Sequence, residues 1–368
     1  MLSQDLNFVM GLQPFYTAAN STQMAERSKL IRHSIPEALE AVGGQIAKRI
    51  GIVENDLICA GSDGVGQKTP YCWVRFASST HSPNPRTGWY VVFLFDAVGE
   101  GVYLSLNQGT TDWNGTAFVP QNPTLLDSRV QWARKVAREY LGEPGLQRNI
   151  YLAGTNGKGL GRAYEHGNVV AFHYKLNSVP TQDVLLRDIL FMAECLGGLY
   201  RNQDLGRQPG TISPEAAAVL EAASPTRGPT RSRGQGRGLS LEDRKLVELH
   251  AMACAESYLS KHGFVVFDTS ASKPYDFEAK KNETTFLVEV KGTTTYGESV
   301  VLTANEVSVQ RDAFPNNALI IVHSIDINVV AGNKIAIGGT VVQITPWEIL
   351  ESALTPLTYT YHSIKPRV

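Results

Sequence analysis

No two cysteines in this chain stand at metal-ligand or dithiol spacing. Cys59, Cys72, Cys195 and Cys254 lie far apart with no C-x-x-C pair, which argues against a zinc ribbon, a dithiol redox site and a secreted disulfide framework. A charge excess is also missing, since 34 basic residues meet 35 acidic ones. No overall basicity announces a nucleic-acid partner, although a local basic face is compatible with a neutral total. No apolar run approaches the roughly 20 residues that span a bilayer, and the first thirty residues lack a basic segment followed by an apolar core. The expectation is a cytoplasmic, soluble protein with no membrane role. There is no repeat period of roughly 20–50 residues that would signal a solenoid or propeller. A phosphate-cradling G-x-x-x-x-G-K-[ST] is absent too: "GTNGKGLG", Gly154 to Gly161, lacks the required first glycine and the following Ser or Thr, and reads as a turn.

What is present is enough apolar material for two cores, 43% of 368 residues. Composition changes between Asp204 and Gly238, where "SPTRGPTRSRGQGRGLS" is built from Pro, Gly, Ser and Arg and cannot bury enough apolar surface to offset ordering. The expected organisation is therefore a domain over 1–203, a linker over 204–238 and a second domain over 239–368. Within the linker, Ser213 caps a short helix to Ala223 with Pro214 in its first turn. Arg227, Arg231, Arg233 and Arg237 form a basic tract, either a solvated tether or a phosphate contact.

The fold class expected is α/β in the broad sense, α+β by segregation of its elements. In the first half, helices end at glycines within "QMAERSKLIRHSIPEALEAVGGQIAKRIG", "GWYVVFLFDAVGEGVYLSLNQGT" reads as two strands turning around Gly99 to Gly101, and "PTQDVLLRDILFMAECLGGLYRN" is a closing helix. The second half opens with Ser240 as cap of a helix that Gly263 stops. Then "FVVFDTS", "YDFEAKK" and "TTFLVEVKG" read as strands, "LTANEVSVQRDAF" as a helix and "NALIIVHSI" as a strand. Helix, three strands, helix, strand implies a mixed sheet flanked by helices.

Two acids and a lysine interrupt that apolar pattern. In a hairpin turning near Asn282 and Glu283, Asp276 falls opposite Glu289, and alternation puts Glu289 and Lys291 on one face. Such an acid pair suits a hard divalent cation such as magnesium or manganese, with oxygen ligands and a bridge to a substrate phosphate. Lys291 would then orient or deprotonate the attacking water and neutralise phosphate charge. A solvated strand face with a surface ion pair, contributing only about 0–1 kcal/mol, is the bland alternative. Against it, uncompensated charge inside a run fit for a buried sheet is costly. Glu248 reads equally as an exposed helix residue or as a supporting acid. Asn305 and Glu306 on the following helix either face the site or cap that helix, with the structural role the favoured reading. His250, His262 and His323 form no ligand pair.

The order of a helix with Glu248 followed by D276-x12-E289-V-K291 resembles the PD-(D/E)XK nuclease core. The fuller text "VELHAMACAESYLSKHGF…VFDTSASKPYDFEAKKNETTFLVEVKGTTT…VVLTANEV" is similar to the protein NO VEIN C-terminal family of that superfamily, over about the last third of the chain. That resemblance implies a restriction-endonuclease-like fold and metal-dependent cleavage of DNA phosphodiesters. It casts Asp276 and Glu289 as metal ligands, Lys291 as the catalytic lysine and Glu248 as a supporting acid. The proline usual before the Asp is Tyr275 here.

The first half is dense in aromatics, most of them expected in the core: Tyr71, Trp73, Phe76, Trp89, Tyr90, Phe93, Phe95, Tyr103 and Trp113. Between Trp73 and Trp89 runs a polar loop with Arg75, His81 and Arg86, a segment suited to phosphate contacts. "GQKTPYCWVRFASSTHSPNPRTGWYVVFLFDAVGEGVYLSLNQGTTDW" resembles the MrcB-like N-terminal domain, a family of DNA-reading modules, over about the first half of the chain. This implies binding of double-stranded DNA with a modified cytosine or other altered base, with extrusion of that base into an aromatic pocket as the expected mode. Tyr71, Trp73 and Trp113 are the candidate lining, with Arg75, His81, Arg86 and Trp89 as further DNA contacts. Together the resemblances imply a modification-dependent, type IV-like restriction endonuclease that works without ATP in defence against modified phage DNA. One such site cuts one strand, so double-strand cleavage predicts a homodimer or two copies meeting on DNA. A non-catalytic modified-DNA-binding adaptor in a defence complex is the rival, and an RNA or single-strand nuclease a third reading.

Overall fold

The computed structural model describes residues 1–116, 118–153, 159–209, 213–223 and 239–358. Arg227, Arg231, Arg233, Arg237 and residues 154–158 of the Gly154 to Gly161 stretch lie outside them. The chain divides into two units, the first running to Gln203 and the second beginning at Asp204. Helices and sheets make both units α+β.

In the first unit, β1 (Leu57–Ser62), β2 (Trp73–Ser78), β3 (Trp89–Phe95) and β4 (Gly101–Gln108) are successive antiparallel neighbours. A separate hairpin pairs β5 (Thr111–Trp113) with β6 (Phe118–Pro120). β7 (Leu146–Gln147) and β8 (Val170–Lys175) complete the main sheet beside β4, in the order β1-β2-β3-β4-β8-β7. All 7 residues of β3 are buried, because both faces of the sheet are covered. The helices of this unit are α1 (Leu2–Leu12), α2 (Thr22–Lys29), α3 (Ile35–Glu40), α4 (Gly43–Ile50), α5 (Pro123–Val136), α6 (Leu160–Gly167) and α7 (Gln182–Asp204), and Trp89, Val91, Phe93 and Phe95 face a core to which α1, α3, α4, α5 and α7 contribute. Tyr90, Val92 and Leu94 alternate to the other side and meet Tyr103, Ile150 and Leu152. The turn between β3 and β4 needs glycine: Gly99 has φ 83°, and a Cβ there would lie 2.3 Å from the Met10 carbonyl oxygen.

In the second unit, α8 (Pro214–Ala223) precedes α9 (Leu241–Lys261), and Ser240 caps α9 by accepting from the Asp243 N–H at 3.1 Å. A mixed sheet of β9 (Val265–Asp268), β10 (Phe277–Lys281), β11 (Thr284–Gly292), β12 (Asn317–Val330) and β13 (Asn333–Ile344) follows in the order β13-β12-β11-β10-β9. Only β11 and β12 are parallel, and α10 (Ala304–Ala313) supplies the crossover that a parallel pair requires. β13 goes beyond the expected helix, three strands, helix, strand. Gly338 and Gly339, at φ 71° and 96°, interrupt its alternation, and most of its residues are exposed, so its periodicity is masked.

The start of the connector is bound into the second unit. Arg207 donates to the Thr294 carbonyl at 2.7 Å and the Ile325 carbonyl at 3.1 Å, and pairs with Asp326 at 2.7 Å. Thr294 Oγ1 donates to the Leu205 carbonyl at 2.8 Å, and Thr293 to Glu215 of α8 at 3.4 Å.

Candidate active site

The site is built by register. The β10–β11 ladder pairs Phe277 with Val288, so one residue further out Asp276 stands opposite Glu289, and the Asp276 N–H donates to the Val288 carbonyl at 3.0 Å. Val288 and Val290 point to the side packed by Val247, Ala251 and Ala255 of α9. Glu289 and Lys291 alternate to the other side, where α10 lies and where Lys291 meets Glu306. The strand end sits tightly on α9: a Cβ on Gly292 would lie 2.6 Å from the Ala251 Cβ and 2.9 Å from the Val247 carbonyl oxygen.

Glu289 is 2% exposed. Its Oε1 pairs with Lys291 Nζ at 2.7 Å, while its Oε2 is buried with no hydrogen-bond partner. Burial pushes its carboxyl up to about 7, against the pull of Lys291. Asp276 Oδ2 accepts from the Val290 N–H at 2.7 Å. Burial also raises its carboxyl; the Val290 N–H and Lys291 oppose the rise, and the charges of Glu306 and Glu248 add to it. Burial works against the charge of Lys291, yet Glu289 and Glu306 outweigh it and hold the ammonium above its ordinary value.

Glu306 is therefore at the site. Its Oε2 accepts from Lys291 Nζ at 2.9 Å and from the Thr303 N–H at 2.9 Å, so the cap and the ion pair are made by one oxygen. The T-x-x-E spacing of a capping box was the available signal, but it speaks only to the helix end. Glu248 makes no such contact. Its side chain is 63% exposed and pairs with Lys245 at 3.1 Å, reaching Asp276 through its charge alone.

Among the described residues no group of three or more His, Cys, Asp and Glu side chains is placed to hold a metal ion. The two carboxylates of Asp276 and Glu289 are the side chains a hard divalent cation would use, and the unpartnered Oε2 of Glu289 is the atom that fits one.

In the first unit, Trp73, Arg75, Pro85, Tyr90, Asn107 and Tyr164 line a cavity of about 10 Å³, room for one water and not for a base. Arg75 is buried, donating to the carbonyl and Oγ of Ser82 at 3.0 and 2.9 Å, with its guanidinium over Tyr90. Tyr71 packs against Gly161, near the same cluster. The other candidates are dispersed. Trp89 is 1% exposed and belongs to the opposite core, where it meets Trp132. His81 stacks on Tyr200 and bonds Ser78 at 3.0 Å. Trp113 lies on the β5–β6 hairpin, half exposed and edge-on to Phe118, over whose ring the Arg86 guanidinium lies at 5.9 Å.

The MrcB-like, N-terminal domain family matches residues 12–201, more than half of the chain. The chain belongs to this family. The protein NO VEIN, C-terminal family matches residues 247–331, a range that contains Asp276, Glu289, Lys291 and Glu306. No curated protein and no solved structure matches the chain. The MrcB-like match takes in the whole cavity-bearing sheet, and both matches are consistent with a DNA-related, restriction-like function and a nuclease-like second unit. Among the described residues no helix is long and apolar enough to cross a membrane.

Proposed function

We propose that the chain is a modification-dependent DNA endonuclease. Its first unit would bind duplex DNA with a modified cytosine, and its second would hydrolyse phosphodiesters at Asp276, Glu289 and Lys291 with magnesium or manganese, without ATP. The observation that carries this reading is the buried Glu289 carboxylate, which commits one oxygen to Lys291 and leaves the other unpartnered in the register of Asp276. A bound divalent cation would polarise the phosphate and ease deprotonation of water. Asp276 and Glu289 would hold it. Lys291, kept charged by two carboxylates, serves to orient water and neutralise phosphate charge and is not suited to abstract a proton.

On the DNA side, the reading assigns Trp73, Tyr90 and Tyr164 to stacking and Arg75 and Asn107 to polar recognition. The small cavity means that an extruded base would enter only if the surrounding rings shift, which adds to the few kcal/mol that extrusion costs. Trp73→Ala should weaken binding of modified duplex by about 1–3 kcal/mol if a base stacks there.

The adaptor reading is favoured by one observation: Lys291 already pairs with Glu289, the acid a cation would need. Wild type and Glu289→Gln should be incubated with plasmids containing unmodified, 5-methyl-, 5-hydroxymethyl- or glucosylated cytosine, with magnesium or EDTA and no ATP. Magnesium-dependent cutting of a modified plasmid, lost in the variant, supports the endonuclease. Equal binding by both proteins with no cutting establishes the adaptor instead.

A further inference from the structure

We infer that Glu306 is a positioning residue for Lys291, an inference that rests on the nuclease reading of the site. Lys291 ends a four-carbon flexible stem whose ammonium has three donors and no preferred direction of its own. Two carboxylates from different elements remove that freedom. Glu289 Oε1 on the same strand lies 2.7 Å from Nζ, and Glu306 Oε2 on α10 lies 2.9 Å from it.

Glu306 is itself held. Its Oε2 also accepts from the Thr303 N–H at 2.9 Å, while Thr303 Oγ1 accepts from the Glu306 N–H at 3.2 Å, closing the reciprocal box at the start of α10. The positive end of the helix dipole favours the carboxylate there. Its side chain is mostly buried, at 19% exposure, so water competes little for the pair. An anchor fixed to the helix end thus sets where the ammonium sits above the sheet.

Two consequences follow for the chemistry. Two of the three ammonium donors are engaged, which directs the third toward a phosphate oxygen or the attacking water. With Nζ shared between Oε1 of Glu289 and Oε2 of Glu306, Oε2 of Glu289 is left unpartnered. With Gln at 306 the ammonium keeps a single charged anchor and the lysine samples other rotamers. A displacement of about 1 Å at a reacting centre is enough to cost about 100-fold in rate.

The test compares full-length wild type, Glu306→Gln and Glu306→Asp on the four plasmids above with magnesium, measuring single-turnover cleavage, and separately measuring DNA Kd in EDTA and melting temperature. A positioning role predicts a rate loss of about 10- to 100-fold in Glu306→Gln, with Kd changed by less than about 2-fold. Glu306→Asp, which keeps the charge on a shorter stem, should fall between the two. Wild-type rate in Glu306→Gln overturns the inference while leaving the nuclease reading intact. So does a loss matched by weaker DNA binding, or one that Glu306→Asp shares in full. If wild type cuts none of the four plasmids, the nuclease reading and the positioning role fall together.

Discussion

Lys291→Ala should destabilise the second unit, and more so at higher pH. The substitution removes the cation that lies 2.7 Å from Glu289 and 2.9 Å from Glu306. Left charged, Glu289 would be an uncompensated ion at 2% exposure; breaking a buried pair from one side costs about 3–5 kcal/mol. The carboxyl can limit the damage by taking a proton. In the unfolded chain its value is 4.5, so protonation costs about 4 kcal/mol at about pH 7.5 and about 1.4 kcal/mol at about pH 5.5, at 1.36 kcal/mol per unit. In wild type the carboxyl is already raised to about 7, so at the lower pH it is protonated with or without Lys291. At the higher pH wild type already carries about 3.3 kcal/mol of that cost, because its carboxyl is raised from 4.5 to about 7, so the expected loss, with about 1 kcal/mol for the lost contacts at either pH, is about 2 kcal/mol at about pH 7.5 and about 1 kcal/mol at about pH 5.5. Hydrogen exchange of the β11 amides, read as opening free energies for wild type and variant at both pH values, measures it within the correct unit. An equal loss at both pH values, or less than about 1 kcal/mol at the higher, would refute the buried-charge reasoning.

Other consequences are open to test. Because the Glu289 carboxyl is raised, the folded state holds a proton that the unfolded chain has released between 4.5 and about 7; second-unit stability should decline as pH rises through that window, and Glu289→Gln should flatten the decline. In the first unit, burial acts to raise the Asp63 carboxyl, but Lys68, Ser28 and Arg32 together hold it below its ordinary value. Its contribution is present above 3.8 and fades as pH falls through the lower folded value, and Asp63→Asn should cost about 3 kcal/mol in urea titrations near neutral pH. Arg207→Ala removes the Asp326 pair and two carbonyl contacts at 11% side-chain exposure, and should lower second-unit stability by about 2–3 kcal/mol in the same assay. Gly292→Ala should separate α9 from β11, costing about 1–3 kcal/mol, and cleavage should fall with it if the strand end holds Lys291 in place. Unchanged hydrogen exchange in α9 would reject that packing argument.

Much of the site was legible because strand chemistry is local. The two-residue period of β11 and a short hairpin are enough to put Asp276 opposite Glu289 and Lys291 beside it. Caps are local as well, which is why Ser240 and Pro214 could be read at the starts of α9 and α8. Periodicity did not separate the two sides of a sheet covered on both faces, so Trp89 and Tyr90 look alike in sequence while one enters the helical core and the other the cavity cluster.

The chain's residue order thus settles which acids and which lysine share a strand face, and where α10 begins. That Glu306 reaches Lys291, that Glu289 keeps an unpartnered oxygen and that Glu248 stays in solvent depend on how α9 and α10 pack across opposite faces of the sheet. The Glu306–Lys291 pair joins residues 15 positions apart, and all three features come from packing volume and loop closure, which no local pattern encodes.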